Sequence, residues 1–342
     1  MMLFRSAVET DLAAIHQLAE KSGVGITTLT KDKKLLEQRL AWAINSFKTN
    51  ITEPKSEYYF FVLEQPENGK LVGVSGIESR IGIETPFYSF KVSKRARFSS
   101  QLNSHTEYEY LTLVNDYHGA SEICTLYLNP HYRKNNNGLL LSKGRFLYMA
   151  HNPQRFAGKV VAELRGVNNK KGKSPFWDSV GHHFIKISFS EADKLTMTTD
   201  KQFIADLMPR GPIYVPLLTA AAQMVIGKPH PSTAPAMKIL LREGFRYSQY
   251  VDIFDGGPTL EAPLEQIRTI RTSSALVISS LSDQVSGTMC LIANARLNFR
   301  ATLSTVLIDA TKNFCVISKK AANLLQVDCG DIIRVAPLYP PE

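Results

Sequence analysis

A short polar loop between a predicted strand and a predicted helix has the residue types of a phosphate-binding turn. It runs from Arg133 to Gly138 and reads Arg-Lys-Asn-Asn-Asn-Gly. Before it, residues 122–128 are mostly bulky β-formers, and the strand ends at Pro130, which cannot donate a ladder hydrogen bond. After it, residues 139–147 are rich in leucine, as in a helix. Backbone N–H groups and a helix N-terminus in this order can bind a pyrophosphate. An ordinary Asn/Gly turn is the alternative interpretation.

His230 is the residue best suited to proton transfer, because an imidazole titrates near neutral pH. The segment Gly227-Lys-Pro-His-Pro231 places it in a loop braced by prolines, just before a predicted helix. A surface histidine, or one satisfied within its loop, is the alternative interpretation. The adjacent His182 and His183 have no further metal ligands at suitable spacing, so we interpret them as structural.

Composition favours a soluble protein with an anionic small ligand. The 342 residues carry a net charge of +9, and 44% are hydrophobic. The basic residues are dispersed, with the densest clusters at 31–34, 91–97 and 170–173, and neither zinc-finger spacing nor an RNA-binding aromatic signature accompanies them. A phosphorylated ligand therefore explains the charge better than nucleic acid does.

The chain also lacks the sequence features of a membrane or secreted protein. No apolar run approaches the ~20 residues that span a bilayer, and the N-terminus has no signal-peptide pattern. The cysteines have no CxxC spacing, so we expect reduced core residues rather than disulfides or metal ligands. These expectations point to a cytoplasmic protein without a metal. The cysteines are Cys124, Cys290, Cys315 and Cys329.

The predicted elements indicate an α/β protein with mixed (α+β) sheets. The chain divides into three parts. Residues 1–190 alternate strands and helices around the polar loop, and residues 191–262 are helical and loop-rich and contain His230. Residues 263–342 contain only short β segments, which predict a small β-barrel or half-barrel. Those segments are 275–279, 288–293, 301–306, 314–317 and 332–335.

Three motifs resemble those of the GNAT acyltransferase superfamily. The sequence 132–138 is similar to its R-x-x-G-x-G/A acyl-CoA loop, and 176–181 resembles its F-Y-x-x-x-G segment. The sequence 236–245 resembles a second copy of that segment. The resemblance implies tandem GNAT-like halves, followed by the C-terminal β subdomain.

Longer motifs over nearly the whole chain resemble the arginine N-succinyltransferase family. They are 22–28, 121–126, 163–166, 174–177, 207–209, 230–235 and 250–262. This resemblance implies transfer of a succinyl group from succinyl-CoA, a co-substrate, to the α-amine of L-arginine, with no permanently bound cofactor. It also implies a homodimer or a heterodimer with a paralogous subunit. The alternatives are an enzyme for ornithine or for another amine or acyl-CoA, and a non-catalytic acyl-CoA-binding subunit.

The resemblance assigns roles to the acyl-CoA side of the site. His230 becomes a proton donor, and Leu126 becomes the contact for the CoA arm, although its sequence pattern alone fits a core residue. The pyrophosphate contacts are Arg133, Lys134, Asn137 and Gly138.

The other substrate needs groups of opposite charge. A guanidinium pairs bidentately with a carboxylate, so Asp252, Asp255, Glu163 and Glu122 are candidates for binding arginine. Arg165 is the candidate partner of the succinyl carboxylate. Two positions depart from the family pattern. Asn136 stands where the superfamily loop often has a glycine, and Pro229 precedes the histidine.

Overall fold

The computed structural model describes residues 1–22, 28–169, 172–199 and 201–339. Most of the motif at 22–28 and half of the basic cluster at 170–173 lie outside these residues. The strands of the described chain are β1 (Leu3–Ser6), β2 (Tyr58–Gln65), β3 (Lys70–Glu78), β4 (Ser89–Ser99), β5 (Ser104–Val114), β6 (Ser121–Leu128), β7 (Lys159–Glu163), β8 (Ile213–Tyr214), β9 (Arg246–Asp252), β10 (Pro258–Pro263), β11 (Ser274–Ser282), β12 (Thr288–Asn294), β13 (Arg300–Asp309), β14 (Phe314–Ser318) and β15 (Ile332–Pro337).

The helices lie mainly in the first two thirds of the chain. They are α1 (Leu12–Lys21), α2 (Lys33–Lys48), α3 (Asn137–His151), α4 (Pro175–Ser179), α5 (Gly181–Phe184), α6 (Phe189–Thr198), α7 (Gln202–Leu207), α8 (Ala220–Val225), α9 (Ala234–Arg242), α10 (Arg268–Arg271) and α11 (Lys319–Leu325). No helix in the described ranges has both the length and the apolar character that crossing a membrane requires.

A mixed sheet forms the centre of the molecule, with strand order β1-β2-β3-β6-β7-β10-β9. Its neighbours are antiparallel except β6 and β7, which are parallel. Beyond β9 the sheet continues into the long β4–β5 hairpin and β8, and beyond β1 it continues into β13. Of the two segments with the repeated motif, 176–181 lies in α4 and the start of α5, and 236–245 lies in α9 and the turn that leads to β9.

The last third of the chain closes into a five-stranded barrel. The strands follow the order β12-β15-β11-β14-β13, and β13 pairs back with β12. Side chains such as Leu276, Ile292 and Val306 fill its interior together with Leu325 from α11. All five predicted β segments fall in these strands, so the mixed fold and the C-terminal barrel are confirmed. Closure removes the free edges that five short strands would otherwise expose.

Helix α3 is buried on nearly all sides, because it packs between the central sheet and the barrel. Aromatic rings join the three layers: Tyr148 of α3 lies 5.3 Å from Phe61 of the sheet and 5.2 Å from Phe299 of the barrel, between ring centroids. Gly144 permits the close approach, since a Cβ there would lie 2.6 Å from the Phe4 ring. Helix α3, which follows the polar loop, is therefore held firmly between the sheet and the barrel.

The cysteine prediction holds for three of the four. All are free thiols, and Cys124, Cys290 and Cys315 are buried. Cys329 is exposed, so the prediction of a core residue was wrong there. It precedes Gly330, which has a φ of 90° in the turn before β15, and such a turn lies on the surface.

Candidate active site

The parallel strands β6 and β7 separate soon after they meet. They pair only at Ser121 with Val160 and at Glu122 with Val161. From Ile123 onward, the edge of β6 that faces β7 has no strand partner in the described chain. A backbone edge left open inside a sheet can pair with an extended ligand. A cavity of about 160 Å³ opens at this point.

A bulge in β6 sits beside the opening. Thr125 has a φ of 55°, an unusual conformation for a β-branched residue, and the register with β3 shifts between Val74 and Gly76. The hydroxyl of Tyr58 lies 3.1 Å from Thr125 Oγ1 and helps to hold it. Strain of this kind is concentrated at functional sites. The bulge turns the main chain of Thr125 and Leu126 toward the cavity that both residues line.

The polar loop ends in an open helix N-terminus. Asn135 and Asn136 have φ values of 52° and 61°, the left-handed conformation that asparagine tolerates better than most residues. Asn136 therefore keeps the turn that glycine would provide. No side chain caps α3. The side-chain amide of Asn137 instead donates to Tyr132 O at 3.0 Å, which fixes the loop.

The charged residues of the loop flank that helix start. Arg133 and Lys134 are both exposed, and the Nε of Arg133 donates to Leu128 O at 3.2 Å, which ties the loop to the end of β6. Gly138 lies in the first turn of α3. A helix N-terminus and two cations at one point form a site for a multiply charged anion.

His230 lies at the rim of the cavity. Its backbone N–H donates to Arg165 O at 2.8 Å, and Pro229 forms an isolated bridge with Gly166. Arg165 and Thr233 line the cavity, while His230 is not itself among the described lining residues. Pro229, which departs from the family pattern, therefore does not prevent the backbone N–H of His230 from making this hydrogen bond.

The ring of His230 is held by Ser232. The backbone N–H of Ser232 donates to Nδ1 at 3.1 Å, and its hydroxyl lies 2.7 Å from the same atom. Because Nδ1 accepts, the neutral ring carries its hydrogen on Nε2. Burial and then the charge of Arg165 lower the pKa of His230. Near neutral pH the ring is therefore a hydrogen-bond donor through Nε2.

Behind the opening lies a concentration of carboxylates. A second cavity, of about 580 Å³, adjoins the first, and the two share four acidic lining residues. Those residues are Glu122 from β6, Glu163 from β7, Asp193 from α6 and Asp252 from β9. The sheet order places the strand residues side by side, although they are far apart in sequence.

These carboxyl groups resist ionisation. Burial and then Glu78 raise the pKa of Glu122 to about 8, and burial and then Asp252 raise the pKa of Asp193 to about 7. Burial, Asp252 and Glu122 raise the pKa of Glu163 well above its ordinary value. The Oε1 atom of Glu163 is buried without a hydrogen-bond partner in the described chain. None of the four carboxyl groups forms an ion pair in the described chain, so a cationic ligand can supply the missing partner.

The two aspartates of the β9–β10 turn are tied to the backbone. Asp255 accepts from Gly166 N at 2.7 Å and from Gly257 N at 2.9 Å, one bond to each carboxylate oxygen. Asp252 accepts through Oδ1 from Phe254 N and Asp255 N. Asp255 therefore fixes the backbone that follows β7, whereas Asp252 lies close enough to Glu163 to raise the pKa of that carboxyl group.

Sequence reasoning missed several residues of the acidic pocket. Asp193 lies in a helix that begins with the Ser188–Glu191 capping box, a pattern that signals structure only. Glu78, Arg39 and Lys201 also line the larger cavity. The only signal for these four positions was their charge, and their proximity depends on the tertiary fold.

A metal-like grouping occurs at the wall of the same pocket. Ligand atoms of Glu78, Glu122 and Cys124 lie within 4.8 Å of one another. The guanidinium of Arg39 already donates to Glu78 at 2.9 Å and supplies positive charge there. We therefore interpret these three residues as part of the pocket wall.

Splayed parallel strands, a bulge beside the gap and an open helix N-terminus together suit an acyltransferase that binds an extended acyl-CoA. Comparisons with known proteins are more specific. Residues 2–269 match the family described as arginine N-succinyltransferase beta subunit, and residues 273–337 match the C-terminal domain of that subunit. The chain belongs to the arginine N-succinyltransferase family.

Individual relatives agree over full length. The arginine N-succinyltransferases of Yersinia enterocolitica and of Enterobacter sp. are 44% and 43% identical, each match covering 100% of this chain and 99% of the relative. The solved structure of arginine/ornithine succinyltransferase subunit AI from Pseudomonas aeruginosa is 36% identical, with a TM-score of 0.89 over 99% of both chains. The family resemblance drawn from sequence motifs is confirmed.

Proposed function

We propose that this protein transfers the succinyl group of succinyl-CoA to the α-amine of L-arginine, giving N2-succinylarginine and CoA. One observation carries the proposal: the gap between β6 and β7 opens directly onto a pocket where four carboxyl groups form no ion pair in the described chain. An acyl donor in the gap and a cationic amine in the pocket would meet at Glu163 and Leu126. Holding both reactants together accelerates their reaction.

The acyl-CoA half of the proposal uses the backbone. The amides of the pantetheine arm would pair with the open edge of β6, and a main-chain N–H at the Thr125–Leu126 bulge would polarise the thioester carbonyl. The pyrophosphate would bind at the start of α3, at Asn137 and Gly138, with the backbone N–H of Gly138 as a donor. Arg133 and Lys134 would add charge at the exposed side of the loop.

The acceptor half uses the carboxylates. The guanidinium of arginine would pair with Glu163 and Asp252, and Glu122 and Asp193 would complete the acidic wall. The α-ammonium must lose a proton before it attacks the thioester carbon. Carboxylates whose pKa values are raised toward neutrality can accept such a proton. Attack forms a C–N bond, and collapse of the tetrahedral intermediate breaks the C–S bond.

His230 would act on the leaving group. Its Nε2–H is free of the Ser232 contacts, so the ring can donate to the developing thiolate of CoA. Arg165 would face the succinyl end of the donor. Asp255 would position the backbone of Gly166 and, through it, the loop of His230.

The activity is tested by mass spectrometry of reactions that contain succinyl-CoA with arginine or with ornithine. We expect succinylarginine. Ornithine is the second candidate, since the relative from Pseudomonas aeruginosa carries both names. The His230→Ala variant should lose at least about tenfold in turnover and still bind CoA by calorimetry. His183→Ala, at an exposed position in α5, is the control. Unchanged turnover in His230→Ala would remove this residue from the chemistry.

We also propose that the protein works in the cytoplasm as a homodimer or as a heterodimer with a paralogous subunit. The family description names a beta subunit, and the solved relative is named subunit AI. Light scattering after gel filtration tests this assembly. A monomer that has full activity would contradict it.

A further inference from the structure

Two arginines line the cavity at the gap between β6 and β7, and they differ in what their side chains do. They are the cationic residues among the described lining residues. Arg145 is 1% exposed and donates to the backbone oxygens of Gly76, Cys124 and Ser142. Its role is to hold α3 against the sheet. Arg165 makes one side-chain hydrogen bond, from Nη2 to Asn168 Oδ1, and its Nε is buried without a partner in the described chain.

Asn168 determines how the Arg165 guanidinium is presented. A guanidinium has donors only, so the amide must turn its oxygen toward it and its nitrogen away. The Nδ2 of Asn168 is then left without a partner, although the residue is only 6% exposed. Two adjacent buried donors are thus unused, and unused buried donors are destabilising unless a ligand accepts from them.

The surroundings identify the ligand as an anion that enters with the acyl donor. No carboxylate of the described chain lies within ion-pair distance of Arg165. Asp255 and Asp193 are close enough to attract it, but both oxygens of Asp255 accept backbone hydrogen bonds, and Asp193 lies beyond ion-pair distance. The other charged lining residues are Arg145, whose donors are used by the backbone, and carboxyl groups, which would repel an anionic tail, so Arg165 is the described lining cation that can receive one.

We propose that Arg165, oriented by Asn168, binds the terminal carboxylate of the acyl group and thereby selects dicarboxylic acyl-CoA donors over monocarboxylic ones. This rests on the proposed function, since it concerns the donor of that reaction. Arg165 contacts the acyl group, and Asn168 is a positioning residue. The backbone oxygen of Arg165 accepts hydrogen bonds from the N–H of His230 and from the hydroxyl of Thr233. The acyl tail would therefore lie next to His230, the residue proposed to act on the leaving group.

Titration calorimetry without any amine tests the proposal on binding alone. Succinyl-CoA and butyryl-CoA have the same number of acyl carbons and differ in the terminal carboxylate. We expect the wild-type protein to bind succinyl-CoA at least about tenfold more tightly. In Arg165→Met the two affinities should become equal through loss of succinyl-CoA affinity. Arg165→Lys should keep part of the preference, and Asn168→Ala should reduce it by a smaller factor than Arg165→Met.

Several results would overturn the proposal. One is a wild-type protein without preference, and another is an Arg165→Met variant with the wild-type ratio. Equal losses for both ligands would assign Arg165 to the structure of the His230 loop instead. Arg296→Met, an exposed barrel position, controls for the loss of a positive charge. If the wild-type preference holds but no succinylarginine forms, the proposed function fails and the donor selectivity stands.

Discussion

Two groups of buried charges lie on either side of α3, and they are built in opposite ways. The junction cluster, Lys143, Glu243 and Arg268, joins α3 to the end of the barrel. Glu243 is fully buried, and its carboxylate receives Lys143 at 3.0 Å, Arg268 at 2.8 Å and the backbone N–H of Thr269 at 2.8 Å. The acidic pocket, on the other side, contains carboxylates that lack such partners.

The pKa directions follow this difference. Burial alone would raise the pKa of Glu243, but Lys143, Thr269 and Arg268 together lower it. In the acidic pocket, burial and like-charged neighbours raise the pKa of Glu122 and Glu163. A buried cluster whose charges are all paired stabilises the fold. Buried carboxyl groups without ion-pair partners mark a place where a ligand can supply the opposite charge.

The largest effect on stability is expected from breaking the junction cluster. Glu243→Ala leaves two buried cations without their partner and should cost about 3–5 kcal/mol in the free energy of unfolding. Urea denaturation followed by tryptophan fluorescence measures it. Replacing Glu243 and Lys143 together by methionine should cost less than Glu243→Ala alone. A loss below about 1 kcal/mol in Glu243→Ala would show that the cluster is not structural.

The next largest effect is expected on arginine binding, from Glu163→Gln in the acidic pocket. A charged hydrogen bond is lost, so the KM for arginine should rise by about 10- to 100-fold while succinyl-CoA still binds. Stability should not fall, since glutamine has nearly the shape of the carboxyl group, which resists ionisation in the empty pocket. Steady-state kinetics and urea denaturation measure the two quantities. Glu265→Gln, at an exposed position, is the control. An unchanged KM for arginine, or a lower free energy of unfolding, would show that Glu163 has a structural role like that of the junction cluster.

The fold could be predicted from the sequence where its signals are local. The alternating segment before Pro130, the Asn68-Gly69 turn between β2 and β3, and the five short β segments of the barrel all occur as predicted. The start of α3 could be predicted for the same reason, because strand, polar loop and helix follow one another directly along the chain.

The acidic pocket could not be predicted in the same way. Its members come from β6, β7, α6 and β9, which the sheet order and a helical insertion bring together. Nor does sequence separate Asp255, whose oxygens are used by the backbone, from Glu163, whose Oε1 is unused. Both are acidic residues beside a strand, and only the tertiary hydrogen bonds distinguish them.

A smaller, pH-dependent effect should separate the two clusters in the wild-type protein. Glu122, with a pKa of about 8, is mostly protonated in the empty pocket at pH 7. A bound cation favours the ionised carboxylate, so arginine binding should release protons and should tighten as the pH rises from 6 to 8. Calorimetry in two buffers of different ionisation enthalpy measures the protons released. Glu122→Gln should lower their number, and Glu243→Gln should not. No buffer dependence in the wild-type protein would contradict this account.

The smallest effect on ligand binding is expected at the start of α3. This helix contains Lys143 of the junction cluster and Arg145, which lines the cavity. Asn136 holds a left-handed turn, which alanine adopts at a cost of about 1–2 kcal/mol. Asn136→Ala should therefore weaken CoA binding severalfold, whereas Asn136→Gly should not. Both variants lose the hydrogen bond from Tyr339 to Asn136 at 3.0 Å, and Tyr339→Phe loses it without altering the turn. If Tyr339→Phe weakens CoA binding as much as Asn136→Ala does, the side-chain contact, and not the turn, holds the phosphate loop. In either case the KM for arginine should stay near its wild-type value, because the acidic pocket lies at the other end of the splayed strands.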